Sequence, residues 1–295
     1  MFFNVKGTPH LLSTVLYTLI ALCAFAANSL LCRMALQSGD IDPLSFTALR
    51  LVSGALMLLI LLQWQLKSQR AKPLTDKGNN ISALSLFVYA LCFSVAYVEL
   101  NTGTGALILF SAVQLTMIGH SVFNKEPLSK VQWGALFVAF AGFIYLMLPS
   151  ATVPSFLPAM LMAISGVAWG IYSIRGKSCR SPLQATSFNF LRSLILVPIL
   201  VLVAALDWQA VSATGICLAI ASGALASGVG YSIWYVALPK LKSSQAGVVQ
   251  LTVPVLATIA GVLFLDEQLT TRLIIASALI LGAVLVFLMA KKRSL

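Results

Sequence analysis

The sequence predicts an all-α membrane protein: ten transmembrane helices forming two inverted five-helix repeats, with both termini cytoplasmic. Three observations predict it. The chain is 59% hydrophobic and only 9% charged, with a mean hydropathy of +0.96, whereas an ordinary soluble domain is about a quarter charged. A hexapeptide occurs twice, as SFTALR at 45–50 and SFNFLR at 187–192, 142 positions apart in 295 residues, each time ahead of an apolar run. Lysine and arginine, finally, gather in alternate connections between the apolar runs.

A membrane-spanning helix needs about 20 mostly apolar residues. By that measure, with Pro, Gly and charge clusters as breaks, ten spans fall at 11–35, 44–66, 82–99, 103–123, 131–148, 156–174, 183–206, 212–236, 245–265 and 271–290. The longest connection, KSQRAKPLTDKGNN (67–80), is polar and holds Pro and Gly. Lys6, the run Leu11 to Cys23 and Ala24-Phe25-Ala26 resemble a cleavable leader. The apolar run continues to Leu31, however, and its removal would leave an odd number of helices, so it is taken as the first span. The five cysteines are scattered without a CxxC pair, which argues for no disulfide framework and no metal.

Ten spans put both termini on one side. That side holds Lys6, Lys67, Arg70, Lys72, Lys77, Lys125, Lys130, Arg175, Lys177, Arg180, Lys240, Lys242, Lys291, Lys292 and Arg293, which is 15 of the 19 basic residues. Six of the eight acids, Asp40, Asp42, Glu99, Asp207, Asp266 and Glu267, fall on the other. The positive-inside rule makes the basic side cytoplasmic. It also accounts for the net charge of +11 without nucleic acid. SFTALR lies in span two and SFNFLR in span seven, and FNKEPL (123–128) after span four matches FLDEQL (264–269) after span nine. The halves 1–150 and 151–295 are therefore copies. Five spans is an odd number, so the second copy enters the membrane from the opposite face, the architecture of alternating access.

Candidate functional residues are the polar and aromatic groups inside spans. Pro43 and Pro182 suit the first turns of spans two and seven. Arg50 then lies 7 residues in, roughly 10 Å, and Arg192 lies 10 in, roughly 15 Å. An arginine near the bilayer centre costs at least about 2.5 kcal/mol; each either serves function or snorkels to a helix end. Glu99 in AYVELN is the acid best placed to reach a cavity, as an interfacial charge, a partner for an amine or a coupling proton site. Glu126 and Glu267 are expected to cap the first turns of spans five and ten. Asn28, Gln114, Trp169, Tyr172, Asn189, Tyr231, Trp234 and Gln250 complete the set, the amides needing a partner helix or a polar cavity. Pro254 interrupts span nine.

The S-F-x-x-L-R element in each second helix, the Glu-x-Leu elements EPL and EQL after each fourth and the proline in span nine resemble the drug/metabolite transporter superfamily in its ten-helix EamA-type form. The resemblance covers nearly the whole chain. It implies a central cavity lined largely by helices one, three, four, six, eight and nine, and export or exchange of small metabolites, amino acids among them, by alternating access. TGTGALILFSAVQLTM (102–117) has no close counterpart in the second copy, where AGVVQLTVPVL (246–256) stands; asymmetric substrate contacts are sought there.

The expected function is a secondary transporter in the cell inner membrane, exporting or exchanging a small polar metabolite. Asn28, Arg50, Glu99, Gln114, Trp169, Tyr172, Arg192, Tyr231 and Gln250 are the candidate substrate contacts. The expected partners are the lipid bilayer, a small-molecule substrate and a coupling proton, with the protein a monomer or weak homodimer. A channel or passive facilitator is the alternative, though no filter-like segment is evident. An enzyme is not expected, since His10 and His120 stand in no catalytic spacing. No cofactor is expected either, and the sequence holds no phosphate-binding glycine loop.

Overall fold

A computed structural model describes residues 8–68, 75–123, 128–147, 155–176, 179–206, 210–237 and 249–290. Regular structure among them is helical throughout. The helices are α1 (Thr8–Gln37), α2 (Pro43–Ser68), α3 (Asn80–Tyr97), α4 (Thr102–Phe123), α5 (Lys130–Met147), α6 (Phe156–Gly176), α7 (Pro182–Leu206), α8 (Ala213–Ala237), α9 (Thr252–Leu265) and α10 (Thr271–Met289). Seven of these, α1 to α4 and α6 to α8, are long and apolar enough to cross a membrane. The other three, also apolar, occupy the remaining predicted spans.

Helix ends and interruptions follow from single residues. Asp42 accepts from the Leu44 and Ser45 N–H groups, both at 2.9 Å, and Pro43 opens α2, where its missing N–H costs nothing. Within α7, residues Leu194–Leu196 tighten into a 3₁₀ turn just before Pro198. A proline four residues on cannot donate to the Leu194 carbonyl and crowds it, which forces that adjustment. Pro254 stands in the first turn of α9, and the chain turns at Leu251 just ahead of it. Residues Ala221–Val229 of α8 widen into a π-helix, a distortion that gathers at functional sites.

The bundle is inverted relative to a soluble protein. Leu56, Ile60, Ile195 and Leu202 are exposed on its outer surface, whereas Asn28, Thr47, Arg50, Ser94 and Ser187 are buried. Lipid solvates the first group, and the second must find partners inside. α3 packs on α6, α4 on α6, α2 on α8, and α1 on α8 and α9; α5 pairs with α10, α4 with α9 and α2 with α7. Connections that follow odd-numbered helices meet at one end of the bundle, here the odd end. Ser212 donates from its N–H to the Asp40 carbonyl at 2.8 Å and from its hydroxyl to the Asp40 carboxylate at 2.7 Å, joining two of them. Hydrogen bonds from the Ser38 and Ser212 hydroxyls hold the Asp40 carboxyl below the usual range. At the even end, Gln184 Oε1 accepts from the Thr75 and Asp76 N–H groups at 3.0 and 3.2 Å.

Glu267 corrects an expectation. Asp266 ends α9 in the left-handed conformation, φ 52°, and turns the chain back. The Glu267 carboxylate then accepts from the Thr102 N–H at 2.8 and 2.9 Å and from its hydroxyl at 2.9 Å. It thus caps α4, while Thr270 caps α10 by accepting from the Leu273 N–H. A loop sees the helix ends nearest in space, and the partner of a half-buried carboxylate is whichever orphan N–H groups the bundle brings there. Glu126 lies outside the described residues.

Two outcomes follow. Glu267→Ala removes a helix cap and leaves Arg33 without its anion, so it should destabilise the detergent-solubilised protein by about 3 kcal/mol. Thr270→Ala should cost about 1 kcal/mol; equal losses in thermal unfolding would contradict the assignment. A Cβ at Gly223 would overlap Ser53 Oγ and the Arg50 carbonyl, so α2 and the π segment touch there through backbone. Gly223→Ala should cost about 1–3 kcal/mol, while Gly119→Ala, with open space around it, should not lower stability.

Candidate functional site

Arg50 lies at the middle of the bundle, 2% exposed. Its guanidinium rests 5.0 Å from the Tyr89 ring centroid and 4.7 Å from that of Phe93, and Nη2 donates to Tyr89 Oη at 2.8 Å. Nη1 has no hydrogen-bond partner. Both rings come from α3, one turn apart, a spacing that stacks side chains on one helix face. Asn28 of α1 donates from Nδ2 to the same Tyr89 oxygen at 3.1 Å, and Ser222 in the π segment of α8 donates to Asn28 Oδ1 at 2.6 Å. Ser165 of α6 donates to the Tyr89 carbonyl at 2.9 Å. The Tyr231 and Tyr89 hydroxyl oxygens are 3.4 Å apart. Five helices, α1, α2, α3, α6 and α8, therefore meet at one tyrosine.

Beside this cluster is a closed cavity of about 10 Å³, lined by Phe25, Asn28, Ser29, Tyr89, Phe93, Leu109, Phe110, Trp169 and Tyr231, room for one water. Its walls come from α1, α3, α4, α6 and α8, five of the six helices that the resemblance implied; α9 contributes none of these residues. The walls are largely aromatic. Trp169 has its ring centroid 4.9 Å from both Tyr89 and Tyr231 and stacks on Tyr172 at 5.4 Å, and Phe25 meets Trp169, Tyr231 and Trp234 edge-on.

Both ends of the bundle are fastened. At the odd end, Arg33 Nη1 donates to the Tyr97 and Val98 carbonyls at 3.0 and 2.6 Å, and its Nε is 3.7 Å from Glu267 Oε1. This ties α1 to the close of α3 and, through Glu267, to the start of α4. At the even end, Arg175 donates to Asn79 Oδ1 at 3.1 Å and Ser82 Oγ at 3.3 Å, and Asn189 Oδ1 accepts from the Asn79 N–H at 2.9 Å. Arg192 Nη1 donates to Asn80 Oδ1. A second small cavity, lined by Tyr172, Thr186, Asn189 and Tyr235 among others, lies at this end.

Of the residues singled out from the sequence, Asn28, Arg50, Trp169 and Tyr231 come together at the central cluster. Tyr172 adjoins it but points its hydroxyl to Thr186 at 3.3 Å. Arg192 reaches the start of α3 instead, in line with its snorkelling alternative. Glu99 is exposed at the odd end, accepting from the Ser155 hydroxyl, away from the cavity. Gln114 and Gln250 are buried but line neither cavity, and Gln114 Nε2 has no partner. Tyr89, on which the cluster turns, was not singled out. The repeat carried the signal, because Tyr89 and Tyr231 are separated by 142 positions, like Arg50 and Arg192.

The EamA-like transporter family model matches the chain twice, over residues 12–148 and 156–289. An uncharacterised protein of Pseudomonas aeruginosa is 46% identical over 277 residues, 93% of this chain and 94% of that one. The threonine/homoserine exporter of Escherichia coli is 27% identical over 249 residues, 80% of this chain and 79% of the exporter. A solved crystal structure superposes with a TM-score of 0.61 at 19% identity, covering 92% of this chain and 98% of its own, so the fold is shared. With these matches and the apolar helices already described, the chain is a multi-pass membrane protein and belongs to the EamA-like transporter family.

Proposed function

We propose that the protein is a secondary transporter of the inner membrane, exporting or exchanging a small metabolite by alternating access to the cavity beside Tyr89. The observation that carries this is a closed cavity at mid-bundle, fastened at both ends by arginines in equivalent positions. Arg33 holds the odd end and Arg175 the even end, and they are 142 positions apart. That is also the separation of Arg50 from Arg192 and of Tyr89 from Tyr231.

The helix contacts support an inverted repeat of 1–150 and 151–295. Adding five to each label turns α3 on α6 into α8 on α1, α4 on α6 into α9 on α1, and α2 on α8 into α7 on α3, all of which are observed. α2–α7, α4–α9 and α5–α10 map onto themselves. Two halves related in this way can rock about a fixed centre and trade one fastened end for the other. The excess of lysine and arginine at the even end makes that end, and both termini, cytoplasmic. The E. coli relative, a threonine/homoserine exporter, supports outward movement of a small polar molecule. Among the described residues no carboxylate lines the cavity, which favours exchange or downhill export over proton coupling through Glu99. No chemical step is assigned to the protein.

Reconstituted protein should show saturable uptake of at least one member of a panel of amino and carboxylic acids, accelerated when the same compound is loaded inside the liposomes. Absence of trans-stimulation across the panel, or stepwise single-channel currents, would contradict alternating access.

A further inference from the structure

Hydrogen-bond capacity around Tyr89 is limited, and nearly all of it is committed. A phenol oxygen accepts twice and donates once. Arg50 Nη2 and Asn28 Nδ2, groups that only donate, fill both acceptor positions at 2.8 and 3.1 Å. The Tyr89 proton must therefore be donated outward, to Tyr231 Oη 3.4 Å away or to whatever enters the cavity that both tyrosines line. If Tyr89 donates to Tyr231, the Tyr231 proton is the one left to give. The charge on Arg50 strengthens such a donor.

No acid among the described residues balances that charge. The described carboxylates, Asp40, Asp42, Asp76, Glu99, Asp266 and Glu267, all belong to connections or helix ends, and Glu267 is engaged by Arg33 and Thr102. Arg50 makes no ion pair among the described residues, and its Nη1 has no partner. A buried unpaired charge in a low-dielectric setting is costly and favours an incoming anion. The ring faces that would hold an ammonium group by cation–π attraction are partly taken, since Arg50 lies over both Tyr89 and Phe93. The remaining lining is the apolar Phe25, Leu109, Phe110 and Trp169, with Asn28 and Ser29 as its other polar residues.

We infer that the mid-bundle cavity, which has room for about one water in this conformation, takes an organic anion, a carboxylate on a flat apolar body, once the helices around it part. The carboxylate accepts from the tyrosine hydroxyls that Arg50 polarises, and the body lies along the apolar lining of Phe25, Leu109, Phe110 and Trp169. An ammonium group on the same molecule adds nothing, because no carboxylate among the described residues lines the cavity to meet it. Arg50 acts through Tyr89 as a positioning residue. That the anion is cargo rests on the transporter function proposed above; its binding requires only that the cavity widen.

The test is ligand binding to the full chain in nanodiscs, followed by tryptophan fluorescence with Trp169→Phe as the control for signal origin. The probes are 3-phenylpropionate, its neutral amide 3-phenylpropionamide, phenethylamine and L-phenylalanine. The acid should bind at least about tenfold tighter than the amide, the size of a lost charge-assisted hydrogen bond. The amine should not compete, and L-phenylalanine should bind no tighter than 3-phenylpropionate. Tyr89→Phe keeps the ring and should bring the acid-to-amide ratio close to one. Amide or amine binding as tight as the acid, or no binding of the acid at millimolar concentration, overturns the inference, and the wild-type ratios suffice if the variant does not fold. In proteoliposomes the two claims separate: acid binding without flux removes the transporter and keeps the anion site, whereas flux of amines with acids excluded does the reverse.

Discussion

A guanidinium held in the middle of an apolar bundle is the constraint on which the other features depend. Arg50 carries a permanent charge and, among the described residues, has no carboxylate beside it. Its charge is spread instead over two ring faces and one phenol oxygen. That solution requires α3 to present Tyr89 and Phe93 one turn apart, and requires α1, α6 and α8 to reach the same tyrosine. The π segment of α8 follows from the same demand. It brings Ser222 onto Asn28 and lays a glycine against the backbone carbonyl of Arg50 itself.

The ends of the bundle use the same chemistry less deeply. Arg33 and Arg175 each bridge helix ends with hydrogen bonds to carbonyl or amide oxygens rather than through packing alone. Such contacts are individually modest once water can replace them, so either end can release without dismantling the apolar interfaces between helices. The centre differs. Its polar groups are buried and, Arg50 Nη1 and Ser29 Oγ apart, bonded to one another, so they open most readily when something else satisfies them. The alternating access proposed above calls for that contrast, with ends that let go and a centre that exchanges its partners for substrate.

Much of this was legible in the sequence. Length and apolarity placed the helices, because a span must satisfy its backbone internally, and the paired SFTALR and SFNFLR elements marked Arg50. Asn28, Trp169 and Tyr231 were found because polar or amphipathic side chains within apolar runs must face inward. What stayed hidden was which helix end lies beside which loop. Glu267 was assigned to the helix that follows it in sequence, yet its partner is 165 positions away at Thr102. Glu99 was the acid best placed to reach a cavity, but it follows the close of α3 at the bundle end and is exposed there. Arg192 looked deeper than Arg50, yet its long side chain runs to the start of α3. Composition and periodicity carry no information about such meetings between segments. The repeat does, and applying its 142-residue offset to Tyr231 points directly at Tyr89.

A double-mutant cycle between Arg50 and Tyr89 tests the central claim most directly. Thermal unfolding is measured for wild type, Arg50→Gln, Tyr89→Phe and the double variant in the same detergent. If the phenol is what accommodates the buried charge, the two losses overlap by at least about 1 kcal/mol, within the range for residues in direct contact. Fully additive losses would mean that Arg50 is stabilised by something other than Tyr89 and would contradict the account.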